Sequence, residues 1–285
     1  MDAFAPSTAA QRTVAVVENV AVARGTYRLR LADPEMAAAI RPGQFLMVRP
    51  ASGTDPLLGR PFALYDVVFE GGRPAAVDIV YLVIGRGTQA LSRLRPGDLA
   101  TIWGPLGNGF GPPPAGDAVF VAGGIGQTPF LALGRWWSGS AVYAGISFAG
   151  RGVPATLLYG VRTADLAAGL DDFAAAGIAV DLATDDGSAG IRGYATSLLE
   201  GRLARGERPS RLVGCGPAPM LAALSRIAER EAIDCDVSLE NQMACGFGAC
   251  FSCVAPIRQG DGSTDLRRVC VEGPIFPAGE VVWSD

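Results

Sequence analysis

Histidine is absent from the 285-residue chain, and so is lysine, which leaves all 24 basic residues as arginine. Without these two residue types there is no Ser-His-Asp triad, no histidine-ligated zinc or Rieske site and no lysine Schiff base. Hydrolase and aldolase chemistry lose their usual catalytic groups. A basic excess is missing too: 28 acidic residues give a formal net charge of -4 at pH 7, and the pI lies near 5.0. Phosphate-backbone binding calls for a basic face, so nucleic acid is not an expected partner. Long apolar runs are lacking as well. Hydrophobic residues make up 49% of the chain, yet Gly, Pro or Arg interrupts each stretch before the roughly 20 residues that span a bilayer. No membrane association is expected. The opening stretch MDAFAPSTAAQRTVAVVENV lacks the basic, apolar and small-residue regions of a secretory leader. A cytoplasmic setting is therefore expected, where clustered thiols bind metal or do redox work more often than they form disulfides.

What is present changes character along the chain, and the length suits two or three domains better than one. From Thr13 to about Leu99, short β-like runs (TVAVVENVAVA, TYRLRLA, GQFLMVRP, RPFALYDVVF, AAVDIVYLVI) alternate with turn signals. That rhythm predicts an antiparallel barrel or sandwich. From Asp117 onward, strand-like runs (AVFVAGGIG, TLLYGV, IAVDLAT, RLVGCG) alternate with helix-like segments such as 164–176 and 217–232. This is the grammar of a mostly parallel sheet with helices on both faces. A third piece, from about 236 onward, holds short extended runs and most of the cysteines.

Within it, MACGFGACFSC (243–253) spaces Cys245, Cys250 and Cys253 as C-x4-C-x2-C, and Cys270 follows. This matches the plant-type [2Fe–2S] pattern, in which four thiolates hold two irons. Gly246 and Gly248 suit a loop that needs positive φ angles to turn its amides toward the sulfurs. A zinc site usually pairs two short knuckles, and Cys270 has no close partner in sequence; zinc and merely structural thiols stay open as alternatives. Cys235 reads as inert core. Cys215, in GCGPAPM at a strand end, falls where open α/β sheets face their ligand crevice.

Glycine loops supply further candidates. VAGGIGQTP (121–129) follows a strand and opens a helix, so Gly123, Gly124 and Gly126 could admit a pyrophosphate, or could serve only a tight strand–turn–helix connection. GRPFAL (59–64) offers the Arg60 guanidinium to a diphosphate or a flavin edge. VIGRGTQALSRLRPGD (83–98) sets Gly85, Gly87 and Thr88 before a helix-like stretch, a second phosphate cradle.

In this order the motifs resemble the electron-transfer subunits of bacterial NAD-dependent dihydroorotate dehydrogenases, within the ferredoxin-reductase superfamily. The matching stretches run from PGQF (42–45) and RPFAL (60–64) through GRGT (85–88), GPLGNGF (104–110), GGIGQTP (123–129), YGVR (159–162) and CGPAPML (215–221) to SLENQMACGFGACFSC (238–253) and VCVEGPIF (269–276). The resemblance implies a multi-domain fold: a six-stranded antiparallel FAD-binding β-barrel (1–112), an NAD-binding α/β parallel-sheet domain (113–234) and a small C-terminal [2Fe–2S] domain (235–285). It implies FAD contacts at Arg60, Pro61, Phe62 and Ala63, at Val80, Tyr81 and Leu82, and at Gly87 and Thr88. Gly123, Gly124, Gly126 and Arg162 would line the NAD site with Cys215 a possible nicotinamide neighbour, and Cys245, Cys250, Cys253 and Cys270 would ligate the cluster. The implied partner is an FMN-binding catalytic subunit that oxidises dihydroorotate in pyrimidine biosynthesis, two of each chain forming a heterotetramer. Alternatives are a subunit of another NAD(P)H oxidoreductase, of ferredoxin:NADP or sulfhydrogenase type, and a non-catalytic iron–sulfur sensor. Three features depart from the family: Ala63 in place of a hydroxyl residue, Leu82 in place of an arginine, and a long aromatic segment (134–152). Trp136, Trp137, Tyr143 and Phe148 there suit either core packing or a partner surface.

Overall fold

The computed structural model describes residues 9–53, 55 and 57–283. Residues 1–8, which begin both the expected first domain and the stretch read for a leader, lie outside the described residues, as do 284 and 285. The first third of the chain forms β1 (Ala10–Ala23), β2 (Thr26–Leu31), α1 (Pro34–Ala39), β3 (Phe45–Pro50), β4 (Arg60–Ala63), β5 (Asp66–Glu70), β6 (Arg73–Leu82), α2 (Arg86–Leu91) and β7 (Leu99–Leu106). The strands make one antiparallel sheet in the order β4-β3-β7-β1-β2-β6-β5.

That sheet has seven strands where six were expected, because the run RPFALYDVVF is not one strand. It breaks at Leu64 and Tyr65: the Leu64 amide donates to the Gln44 carbonyl at 3.0 Å, and the Tyr65 amide to the Asp78 carbonyl at 2.9 Å. Hence β4 pairs with β3 at one edge and β5 with β6 at the other. The chain steps directly from edge to edge and curls the sheet into a barrel, with Leu64 and Tyr65 buried at the step.

The second sheet is built from β8 (Ala118–Gly123), α3 (Phe130–Trp137), β9 (Ala155–Val161), α4 (Leu170–Ala175), β10 (Ala179–Thr184), β11 (Ile191–Arg192), α5 (Ala195–Ala204), β12 (Arg211–Cys215), α6 (Ala218–Glu231) and β13 (Cys235–Ser238). Its order is β11-β10-β9-β8-β12-β13, all parallel, and the edge strand Ile275–Pro277 joins beyond β13. The order reverses between β8 and β12, the place where open α/β sheets form their crevice. The helix expected at 164–176 shortens to a 3-10 turn at Ala164–Leu166 and α4. Gly169 interrupts it with φ +78°, where a Cβ would stand 2.5 Å from the Tyr65 hydroxyl. The helix expected at 217–232 is α6.

The last piece is a hairpin of β14 (Val254–Arg258) and β15 (Thr264–Arg268), followed by β16 (Ile275–Pro277), which returns antiparallel to β13. The expected boundary at 235 falls at the start of β13, a strand paired with β12. This piece also seats on the barrel. The Trp103 indole N–H donates to the Cys245 carbonyl at 2.8 Å. Asn108 donates to the Glu272 and Ile275 carbonyls and accepts from the Ile275 amide. In the segment 134–152, Trp136, Trp137 and Tyr143 are buried, and Phe148 packs on Trp136 at 4.9 Å. Core packing is thus the reading the structure supports. Among the described residues, no helix is long and apolar enough to cross a membrane.

Candidate functional site

A cleft of about 940 Å3 opens where barrel, parallel sheet and cysteine-rich piece meet, and Phe45, Val80, Ile125, Cys215 and Ala244 are among its walls. That volume is in the range of dinucleotide and cofactor sites. Of the residues singled out in sequence, Arg60, Pro61, Phe62, Ala63, Val80, Tyr81, Leu82, Gly87, Thr88 and Cys215 all line it. β4 and the end of β6 supply the first seven, side by side because the chain curls between them.

Their local chemistry follows from packing. Tyr81 stacks on Tyr27 at 5.9 Å and tilts against Phe62 at 5.6 Å, giving one wall an aromatic base. Burial pushes the Tyr81 hydroxyl above its ordinary pKa, and the hydroxyl donates to the Asn19 side chain at 3.1 Å. Arg60 is fixed by donating to the Leu58 carbonyl at 2.9 Å and the Gly59 carbonyl at 3.1 Å. A Cβ on Gly87 would stand 2.9 Å from Arg60 Nε, so only glycine lets the guanidinium lie there. The Thr88 hydroxyl accepts from the Ile84 and Gly85 amides and donates to the Gly85 carbonyl. It therefore shapes the loop, and its bonds are already used.

Gly123, Gly124, Gly126 and Arg162 do not line the cleft, which reaches their loop at Ile125 and Thr128. Gly123 and Gly126 serve close approach: added Cβ atoms would stand 2.7 Å from Pro217 and 2.3 Å from the Cys215 carbonyl oxygen. Gly124 takes φ +57°. Arg162 is exposed just beyond β9. At the end of β12, the buried Cys215 thiol points to Glu240 Oε1 at 4.0 Å. Burial holds this thiol well above its ordinary pKa, with Glu240 adding to the shift. Glu240 keeps accessible surface because it faces the cleft, yet protein crowds its carboxyl, and burial raises its pKa above 4.5.

The four cysteines of the last piece come together in two pairs. Cys250 Sγ lies 3.2 Å from Ser252 Oγ and interacts with Cys245. Cys270 donates its amide to Cys253 Sγ at 3.4 Å. Cys245 also stands near enough to Cys270 for their charges to interact. Gly246 and Gly248 take φ +81° and +89°. The hydrogen bond with Ser252, helped by backbone amides, holds the exposed Cys250 thiol down to about 6. Burial first, then the Cys253 neighbour, pushes Cys270 up to about 12. Among the described residues no three or more His, Cys, Asp or Glu side chains converge as a single ion requires. Three thiols from one loop, with Cys270 brought beside Cys253 from beyond the hairpin, fit the donor set of a two-iron cluster instead.

Against known proteins, residues 240–282 match the family model described as the iron-sulfur cluster binding domain of dihydroorotate dehydrogenase B. Among curated proteins, the dihydroorotate dehydrogenase B (NAD(+)) electron transfer subunit of Bacillus caldolyticus is 37% identical over 265 residues, covering 92% of this chain and 94% of that one. The same subunit of Desulforamulus reducens is 35% identical, covering 92% and 95%. The chain belongs to this family of electron transfer subunits. A solved structure of the NADH-dependent reduced ferredoxin-NADP oxidoreductase, described in connection with flavin-based electron bifurcation, aligns with TM-score 0.78 at 25% identity over 99% of this chain and 92% of that one. The ferredoxin reductase in carbazole 1,9a-dioxygenase aligns with TM-score 0.62 at 20% identity, over 79% and 67%, a likeness of fold.

For this family member, the cleft contains residues that sequence reasoning passed over: Ser238, Glu240, Asn241 and Gln242, together with Ile125 and Thr128. The signal was available in part, since SLENQ directly precedes the cysteine loop. Its place beside Cys215 depends on β13 lying next to β12.

Proposed function

We propose that this chain carries electrons from an FMN-containing, dihydroorotate-oxidising partner subunit to NAD+ in pyrimidine biosynthesis, using FAD and a [2Fe–2S] cluster. The observation that carries the proposal is the single cleft whose walls come from β4 and β6, from the turn after β8 at Ile125 and Thr128, from the end of β12, and from the cysteine loop at Ala244 and Ser252. When bound, the flavin exchanges a hydride with nicotinamide and single electrons with the cluster. The chain supplies the setting. Arg60, held open by Gly87, places a guanidinium where a diphosphate binds well. Phe62, Val80, Tyr81 and Leu82 give a largely apolar wall that excludes water, and Ala63 leaves that wall without a side-chain hydroxyl. Thr88 keeps its loop closed. Cys215 and Glu240 sit at the sheet end of the cleft, where nicotinamide would meet the flavin, with both groups held toward their protonated forms by burial. The Gly123–Gly126 turn and Arg162 would take the rest of NAD. Cys245 with Cys250, and Cys253 with Cys270, would each hold one iron.

On this reading the chain divides at about residues 112 and 235 into flavin, nucleotide and cluster units, supported by the change from antiparallel to parallel pairing after β7. The cluster unit is tied to its neighbours by β16 and Asn108. A cytoplasmic heterotetramer with the catalytic subunit completes the proposal.

The decisive experiment is anaerobic addition of NADH to the purified chain, which should bleach the flavin absorbance and then reduce the iron–sulfur centre. Reconstitution with the FMN subunit should give dihydroorotate-dependent NAD+ reduction. A chain whose flavin stays oxidised under NADH is not this electron carrier. The ferredoxin:NADP type, which the structural likeness at TM-score 0.78 keeps in view, predicts NADPH coupling without dihydroorotate.

A further inference from the structure

Away from the cleft, a polar seam joins the barrel to the parallel-sheet unit. Asp66 opens β5, three residues after Ala63 of the cleft wall. Its Oδ1 accepts from the Tyr143 hydroxyl at 2.6 Å and from the Val67 amide at 2.9 Å, and its Oδ2 accepts from Arg135 Nη1. Both acceptor atoms are thus used, and two of the three bonds cross to the other unit. Beside it, the Tyr65 hydroxyl donates to Asp172 Oδ2 of α4 at 2.7 Å, and Arg28 stands 3.6 Å from Asp172. Asp78 lies opposite Asp66 in the β5–β6 register, where two carboxylates would repel. A bidentate Arg30 fork, both bonds 2.8 Å, neutralises it.

What gives Asp66 meaning is where its partners sit. Arg135 lies in the last turn of α3, the helix that follows Ile125 and Thr128 of the sheet-side wall. Tyr143 is buried in the aromatic segment that departs from the family pattern and that the function above leaves unused. The short run Ala63–Asp66 on one side and the rigid helix α3 on the other therefore lead from one carboxylate to both walls of the cleft. We propose that Asp66 is a positioning residue: by holding Arg135 and Tyr143, it sets the distance and angle between the flavin-side and nicotinamide-side walls. It touches neither cofactor. A rate that depends on near-contact geometry falls steeply when the geometry is loosened, since displacements of about 1 Å can cost on the order of 100-fold.

The inference rests on the hydride-exchange reading of the cleft, so its test includes a readout independent of that reading. The holoprotein with Asp66→Asn, with Tyr143→Phe and with both is compared with wild type. Hydrogen–deuterium exchange without NADH should quicken in 64–68 and 130–144 and spread to 123–129 in the variants. Stopped-flow bleaching of the flavin at saturating NADH should slow about tenfold, with FAD content and cluster spectrum unchanged, and Asp66→Glu should recover part of the rate. Unchanged exchange at 123–129, or a bleaching rate equal to wild type, overturns the proposal, as does a rate loss that merely tracks FAD loss. If the exchange pattern changes as stated but wild type is not bleached by NADH, the seam stands and the function reading fails. Should Asp66→Asn not fold, Tyr143→Phe, which removes one hydroxyl, carries both readouts.

Discussion

Gly87 has room for no more than a hydrogen atom beside Arg60, and Gly87→Ala should push the guanidinium aside. FAD titrated into the FAD-free variant should bind about tenfold more weakly, or about 1.4 kcal/mol; an unchanged dissociation constant would show that Arg60 makes no cofactor contact. Cys250→Ser removes the exposed thiol and should strip most iron and sulfide while FAD stays bound, as iron analysis beside flavin absorbance will report. Glu240 gives the pH case. Its carboxyl ionises at an ordinary 4.5 in the unfolded chain and higher in the folded one, because burial disfavours the charge. The folded state is favoured by the neutral acid, an advantage complete below 4.5 and lost as pH rises through the raised value. Glu240→Gln should therefore raise the melting temperature of the FAD-free chain at neutral pH and leave it unchanged in acid; parallel curves across pH would contradict the assignment. At this scale the sequence was informative wherever chemistry is local. The spacing of Cys245, Cys250 and Cys253 sits in one loop and could be read directly, and the place of Arg60 in the cleft wall follows from its motif. Ser238 and Glu240 could not be read this way, since they reach Cys215 only through the side-by-side pairing of β12 and β13 across α6.

Elements carry the docking of the cluster unit. The side chain of Asn108, just past β7, makes three hydrogen bonds to the 272–275 backbone, and Asn108→Ala leaves those partly buried groups without it. A loss of about 2 kcal/mol in denaturant stability is expected, with faster iron loss to a chelator; stability within error of wild type would mean that Trp103 and the β13–β16 pairing hold the unit without the Asn108 side chain. Strand existence was legible from alternation, and the parallel order of β8 to β13 from the strand–helix rhythm. The break at Leu64 was not. Periodicity says that RPFALYDVVF is extended, but whether it stays on one edge is decided by which amides answer: the Gln44 carbonyl for Leu64 and the Asp78 carbonyl for Tyr65. The shortened α4 has the same kind of cause, a tyrosine from another sheet standing over Gly169.

For the molecule as a whole, the exposed face of the cysteine loop is where assembly with the FMN subunit is expected. Phe247 and Phe251 are 59% and 61% exposed there, the latter under the Arg268 guanidinium, which is unusual for aromatics and typical of interface anchors. Replacing both by serine should weaken assembly with the FMN subunit about tenfold with the iron–sulfur EPR signal retained; equal affinity by calorimetry would move the contact elsewhere. The family was legible across nearly the full chain because its motifs keep their order. The polar seam at Asp66 was not, since no spacing rule brings residues 66, 135 and 143 together.

The step from Ala63 to Asp66 has a consequence for how the protein is lost. The same few residues clasp the two edges of the barrel, reach the cleft at Ala63 and anchor the neighbouring unit at Asp66, so the three tasks share one short stretch of chain. A single nick between Ala63 and Asp66 would therefore undo barrel, cleft wall and docked unit together, and proteolysis should find the protein either whole or lost.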